Sequence, residues 1–140
     1  MSEPAPFSVT APEGVVSHPS AWPLAQTVAR IEQAVTGAGL TLFDLIDHSG
    51  EAERIGMAML ESKLLIFGSP RAGTPLMAAA PLLALDLPLR ALVWRDTRGQ
   101  VWVSYTDPAW LARRYGVPAH LLGNIAAMEP LIAAAIQPEN

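Results

Sequence analysis

Polar residues around one short turn are the first candidates for chemistry. The segment GSPRAGT, from Gly68 to Thr74, contains two hydroxyl groups and an arginine. Its glycine spacing resembles that of a phosphate-binding loop, but Thr74 follows Gly73 directly and the lysine that would reach the phosphates is missing. Two interpretations remain open. The segment is a strand-to-helix turn with helix caps, or its backbone N–H groups, with Ser69, Arg71 and Thr74, hold a small anion.

A second polar group follows the apolar stretch that ends at Asp47. There Asp47 and His48 precede Glu51 and Glu53, a combination that could serve as a hard-metal or acid–base cluster. One histidine among carboxylates is a weak metal signal, so we predict no metal and a solvated loop at a strand end. If a ligand site exists, Asp47 and His48 are expected to neighbour the Gly68 turn across the sheet.

Ser104 and Tyr105 lie at the end of a later apolar run. The sequence contains no G-x-S-x-G nucleophile elbow, so no serine triad is predicted. Residue types assign no catalytic residue and no cofactor. The candidate ligand-binding residues are therefore Asp47, His48, Ser69, Arg71, Thr74 and Tyr105.

A β-hairpin is the element that must organise these candidates. Two apolar runs, 85–94 and 101–105, flank a turn that begins at Asp96 and ends at Gly99. Asp suits the first position of such a turn, and Gly tolerates a left-handed conformation at the fourth. A three-residue loop places Trp94 opposite Trp102. Both faces of the hairpin are then largely apolar, which predicts that something covers each side.

The remaining pattern mixes helices and strands, which predicts an α+β fold. The loose alternation of 40–47 favours a central strand. Ser69 and Thr74 each precede a proline, as helix caps do. Helices are predicted over 21–39, 75–84, 108–114 (capped by Asp107) and 119–136, and further strands over 7–10, 14–18, 40–47 and 62–67.

Composition narrows the class of protein. The 140 residues suit a single domain spanning 1–140, with residues 1–6 expected to be disordered. A net charge of −4 without a basic run argues against nucleic-acid binding. The absence of cysteine excludes disulfides and thiolate chemistry. We find no apolar run of about 20 residues and no signal-peptide pattern, so we expect a cytoplasmic protein without a membrane partner.

Several motifs occur in an order that resembles the domain of unknown function 302 family. The resemblance implies helices on a curved antiparallel sheet of about four to five strands, a TATA-binding-protein-like layout, and a homodimer. It supplies no activity, catalytic residue or cofactor, and the name of that layout implies no DNA binding. Ser69 departs from the asparagine of the family's Gly-Asn-Pro or Cys-Asn-Pro turn. The matching motifs are Gly39 to His48, Leu64 to Pro70, Gly73 to Met77, Asp86 to Arg90 and Val101 to Tyr105.

Two functions of different classes follow from these observations. The first is a homodimeric ligand-binding or sensory module without catalysis. Its interface would be the hairpin face of Pro88, Leu92, Trp94 and Trp102, because monomers rarely expose an apolar patch of that size. The rival account is that the 75–84 helix or the N-terminal segment covers this face within one chain. The alternative is a small enzyme or metal-binding protein that uses the polar groups near Asp47 and the Gly68-Ser69-Pro70 turn. Convergence of those groups in one cleft would favour the alternative.

Overall fold

The computed structural model describes residues 12–139, which form the predicted α+β fold. Residues 1–6 and the strand predicted at 7–10 lie outside the described residues. The strands are β1 (Val15–Pro19), β2 (Thr41–Asp47), β3 (Ser62–Gly68), β4 (Leu89–Arg95) and β5 (Val101–Thr106). The helices are α1 (Leu24–Gly37), α2 (His48–Arg54), α3 (Pro70–Ala79), α4 (Pro108–Tyr115), α5 (Gly123–Ala126) and α6 (Met128–Ile136), with 3-10 turns at Pro81–Asp86 and Ala119–Leu121.

The strands form one antiparallel sheet in the order β1-β5-β4-β3-β2, and the sheet is not closed. The β4–β5 hairpin confirms the sequence prediction, since Trp94 is opposite Trp102. Gly99 ends its turn with a φ of 87°, a conformation that glycine adopts without a steric penalty. The prediction that 40–47 is a central strand is wrong, because β2 is an edge strand. Its loose alternation reflects a register shift at Phe43 rather than burial on both faces.

Helices α1 and α6 cover one face of the sheet. Residues of α1 and α6 turn buried apolar side chains toward alternate residues of the strands, as the periods of helix and strand require. This is the arrangement that the apolar spacing of both helices predicts. The main core is made of Leu24, Val28, Ile31, Val35, Leu65, Phe67, Ala91, Val93, Val101, Val103, Tyr105, Met128, Ile132, Ala135 and Ile136.

A smaller core joins α3, α4, α5 and the 3-10 turn Pro81–Asp86. Its buried members are Leu76, Ala80, Leu83, Leu111 and Ile125, and Leu87 and Leu89 pack against them. This cluster fixes α3 and α5 beside the beginning of β4. It therefore positions the walls of the pocket described below.

The single helix predicted over 119–136 is wrong, because this segment is divided into a 3-10 turn, α5 and α6. Pro130 has no N–H for the carbonyl four residues earlier, which favours a break just before α6. By length and composition alone, Ala119–Ile136 is apolar enough to cross a membrane. In the fold, Ile125, Met128, Ile132 and Ile136 are buried in the two cores. Packing thus accounts for part of the segment's apolar character, since 28% of the segment is buried.

The opposite side of the sheet, which we call the open face, is also rich in apolar side chains. On β4, Leu92 and Trp94 alternate with the buried Ala91 and Val93. Two charged residues, Asp44 and Arg90, are the cross-strand neighbours of Ile66 on this face. The large apolar residues of the open face are only partly buried, and they are Ile46, Leu64, Ile66, Leu92, Trp94 and Trp102.

Two helix starts differ from the sequence predictions. The segment after Asp47 is not a loop but helix α2, because the Asp47 carboxylate accepts a hydrogen bond from the N–H of Gly50 at 2.9 Å and caps it. Helix α3 begins at Pro70 behind the cap Ser69, so Thr74 lies inside the helix and does not start one. The helix predicted over 75–84 therefore begins earlier and gives way to a 3-10 turn.

Candidate functional site

A pocket of about 240 Å³ lies at the turn between β3 and α3. This is the turn where the sequence predicts a site. Elements that are distant in the chain build its walls: β2, the turn itself, α3, the beginning of β4 and α5. Most of the lining side chains are apolar, namely Phe43, Pro70, Ala72, Leu76, Met77, Leu87, Pro88, Leu89 and Ile125.

Phe43 stands at the rim of the pocket because β2 contains a β-bulge there. The pairing of β2 with β3 shifts register between Leu42 and Asp44, so Phe43 falls outside the regular alternation. Its side chain lies near Gly68 and remains 51% exposed. An aromatic ring left half in water at the edge of a pocket is available for contact with a ligand.

Gly68 and Gly73 leave space in the pocket where other residues would have side chains. A Cβ atom at Gly68 would lie 3.6 Å from Cβ of Pro88 and 3.7 Å from Cε2 of Phe43, which are ordinary contact distances. A Cβ atom at Gly73 would lie 3.8 Å from Cε of Met77. Neither glycine has a positive φ. An alanine therefore fits at both positions, whereas a longer side chain would occupy the pocket.

Neutral polar groups complete the lining. Ser69 caps α3 by accepting a hydrogen bond from the N–H of Ala72 at 3.4 Å. Asn124 donates from its amide to the carbonyl of Ala72 at 3.0 Å, which ties α5 to the first turn of α3. Thr74 is exposed at the pocket edge. Among the described residues that line the pocket, none carries a charge.

Asp47 and His48 do not lie near this pocket. In the antiparallel pairing of β2 and β3, Thr41 is opposite Gly68 and Asp47 is opposite Lys63, so Asp47 lies at the other end of the strand. The expectation that this strand end neighbours the Gly68 turn is wrong, because antiparallel strands have their carboxyl ends at opposite edges. The pKa of Asp47 is lowered by hydrogen bonds from the Ser49 hydroxyl and the Gly50 N–H. Its role is to cap α2.

Arg71 and Tyr105 also stand apart from the pocket lining. Arg71 is exposed on α3, outside the set of lining residues. Tyr105 is buried on the helix-covered face, where its hydroxyl donates to Oε2 of Glu129 at 3.0 Å. Nε2 of His18 lies 3.2 Å from the same hydroxyl. Of the six predicted residues, the structure thus brings only Ser69 and Thr74 to the pocket.

The His18–Tyr105–Glu129 group holds a phenol in its protonated form. Burial raises the pKa of Tyr105, and the carboxylate of Glu129 raises that pKa further. The hydroxyl therefore acts as a hydrogen-bond donor that joins β1, β5 and α6. This hydrogen bonding stabilises the packing between these three elements.

Comparison with known proteins places the chain in a family. A family model for a domain of unknown function, DUF302, matches residues 16–136. The chain belongs to the DUF302 family. A crystal structure of an uncharacterized conserved DUF302 protein from Bacillus stearothermophilus has the same fold, with a TM-score of 0.74 at 15% sequence identity. The match covers 89% of this chain and 97% of that one. The resemblance drawn from the sequence motifs is confirmed.

Longer curated proteins also contain a DUF302-like segment. The chain is 37% identical over 112 residues to a Brucella suis protein named fluoride-specific ion channel FluC 1, and equally to one of that name from Brucella abortus. The match covers 80% of this chain but only 44% and 42% of those proteins. The DUF302 chain therefore spans less than half of the curated relatives it matches.

Among residues 12–139, the polar groups singled out from the sequence do not converge in one cleft. Within residues 12–139, no group of three or more histidine, aspartate or glutamate residues is placed to hold a metal ion. Asp47 and Ser69 lie at opposite strand ends, so the convergence that the enzyme alternative requires is missing. The arrangement at the Gly68 turn can enclose a small molecule and offer it neutral hydrogen-bond partners.

Most residues of the pocket were not among the sequence candidates. Phe43 comes from β2, Pro88 from the segment before β4, and Asn124 and Ile125 from α5, and only the fold brings them together. One feature of the sequence could have indicated the pocket, because apolar residues flank the Gly68 turn and the Pro88 segment. The bulge that places Phe43 has no comparable signature in a single sequence.

Proposed function

We propose that this DUF302 chain is a small-molecule-binding module without catalytic activity of its own. The observation that supports this function is the uncharged apolar pocket at the Gly68 turn. Ligand sites are commonly concave and mostly apolar, with a few polar groups that orient the ligand. The small anion expected from the sequence stays a candidate for the polar end of the pocket, beside Ser69 and Thr74. Arg71 would contribute little to it from outside the lining.

A thermal-shift screen of small metabolites tests this function. A ligand that binds only the folded chain stabilises it by RT ln(1 + L/Kd), where L is the free ligand concentration, and so raises the melting temperature. We expect at least one hit whose shift disappears in Gly68→Leu, which fills the pocket, and survives in Gly68→Ala as the matched control. Hits that shift Gly68→Leu as much as the wild type would exclude the pocket as the binding site.

We also propose that the chain is a homodimer that buries the open face, and that it acts in the cytoplasm. Six large apolar side chains on this face are only partly buried, and a monomer rarely keeps such a patch in water. Asp44 and Arg90 carry opposite charges on the two sides of Ile66. A two-fold axis would let each charge meet its opposite on the partner.

Light scattering at micromolar concentration tests the dimer. We expect twice the chain mass of 14.9 kDa. Leu92→Glu, which introduces a charge on the open face, should restore the single-chain mass. The matched control is Leu85→Glu, because Leu85 is 77% exposed in the 3-10 turn and away from the sheet. A monomeric wild type would overturn the proposal, and a dimeric Leu92→Glu would move the interface elsewhere.

As a second candidate, we propose that this chain functions together with a fluoride channel. The support is the 37% identity to proteins named fluoride-specific ion channel, of which this chain matches less than half. A segment shared in this way can sense a ligand for the part outside the match. The net charge of −4 argues against nucleic acid as a partner.

Complementation tests this second candidate. The matched segment would be deleted from the Brucella suis relative, and the remainder expressed in fluoride-sensitive cells. We expect growth in fluoride to fall and to recover when this chain is supplied separately, with Gly68→Leu as the pocket-blocked comparison. Full fluoride resistance without the segment would contradict the proposal.

A further inference from the structure

We infer that the pocket at the Gly68 turn takes a neutral molecule with a single flat ring and one hydrogen-bonding substituent. This inference rests on the proposed binding function and adds the class of ligand. It follows from three features of the described lining: the volume, the half-exposed aromatic ring at the rim and the absence of charge.

The volume limits the ligand to a small one. Pockets for drug-sized molecules have volumes of about 300–1,000 Å³, and a dry apolar cavity of about 150 Å³ accepts benzene. The pocket of about 240 Å³ lies between these values. It therefore suits one ring with a short substituent.

The aromatic ring at the rim favours a flat group. A Cβ atom at Gly68 would be 3.6 Å from Cβ of Pro88 and 3.7 Å from Cε2 of Phe43, so the Phe43 ring lies within contact distance of the space beside Gly68. The half-exposed ring of Phe43 offers an aromatic surface to such a group.

The polar groups of the lining select a neutral substituent. Ser69, Thr74 and Asn124 offer two hydroxyls and an amide, which both donate and accept hydrogen bonds. An ionised substituent would lose water without gaining an opposite charge, which is unfavourable. The exposed Arg71 is not among the lining residues.

Three probes that share one ring and have similar sizes, but differ in charge, test whether the pocket selects a neutral ligand. We expect benzamide to bind saturably in calorimetry and to perturb the NMR signals of Gly68 and Asn124, with benzoate and benzylammonium at least about tenfold weaker. Benzoate binding more tightly than benzamide would overturn the neutral class and favour the anion, while the pocket itself would stand. If no probe, and no compound of the metabolite screen, binds at this turn, the proposed function fails as well.

Two variants of β2 test the role of the ring at the rim. Phe43→Ala should weaken benzamide binding about tenfold while leaving the melting temperature nearly unchanged, because the Phe43 side chain is half exposed. Leu45→Ala is the matched control, since Leu45 is 38% exposed on the same strand and does not line the pocket. Equal affinity in wild type and Phe43→Ala would overturn the ring-stacking geometry.

Discussion

At the scale of single residues, the hairpin turn depends on one carboxylate. Asp96 accepts a hydrogen bond from the indole N–H of Trp102 at 2.9 Å. The backbone N–H groups of Arg98 and Gln100 also donate to it. The Trp102 bond first, and then the backbone bonds, lower the pKa of Asp96 below its ordinary value of 3.8. The side chain predicted to begin the turn therefore also anchors an indole of the open face.

The lowered pKa makes this contribution sensitive to acid. A carboxyl group whose pKa is lower in the folded state stabilises the fold above its unfolded pKa and loses that effect as the pH falls through the folded pKa. We expect Asp96→Asn to unfold at lower urea concentration than the wild type at pH 7, with the difference shrinking toward about pH 3. Urea titrations at both pH values measure this. A difference that does not change with pH would contradict the assignment.

Tyr105 gives the opposite dependence. Its pKa is raised in the fold, so its contribution is complete below the unfolded value of 10.0 and decreases as the pH rises above it. Tyr105→Phe should cost about 1–2 kcal/mol near neutral pH, because His18 and Glu129 lose a partner. Above about pH 10 the wild type should lose stability that the variant does not lose. The measurement is the free energy of unfolding of the wild type and of Tyr105→Phe, near neutral pH and above about pH 10. Equal losses of stability in both proteins would refute the prediction.

At the scale of elements, local signals predicted the structure where side chains close to each other in the chain decide it. The hairpin, the α4 start at Asp107 and the cap Ser69 follow from hydrogen bonds within a few residues. Long-range packing decided the rest. Neither the bulge at Phe43 nor the edge position of β2 can be read from 40–47 alone. The sequence predicted the location of the pocket but not its lining residues, since the walls come from segments that are distant in the chain.

The cap of α3 gives a prediction at this scale. Ser69→Ala should lower the free energy of unfolding by about 1 kcal/mol, because the helix loses the oxygen that accepts from Ala72. Ser69→Asp keeps an acceptor and should retain most of the stability. Chemical denaturation compares the variants, with Thr74→Ala as the control, since Thr74 lies within α3 and caps nothing. Equal losses in Ser69→Ala and Thr74→Ala would argue against the cap.

At the scale of the whole molecule, the proposed association through the open face would link stability to protein concentration. Anything that binds only the folded state raises the melting temperature by mass action, and a second copy does the same. We expect the wild-type melting temperature to rise by roughly 2–3 °C for each tenfold increase in concentration, because the stabilisation is shared by the two chains that unfold together. Leu92→Glu should show no such rise. Calorimetry over about a hundredfold range of protein concentration measures this dependence.

The two outermost strands limit what larger assemblies the chain can form. β1 ends at Pro19, which has no N–H to offer to another strand, and β2 is interrupted at Phe43. Both features disfavour a regular ladder with a neighbouring molecule at these two edges. In the proposed dimer, association through the flat side of the sheet would be complete at two copies, whereas strand-by-strand growth would continue into fibrils. The irregularity that turns Phe43 toward the pocket thus also makes β2 a poor template for strand addition.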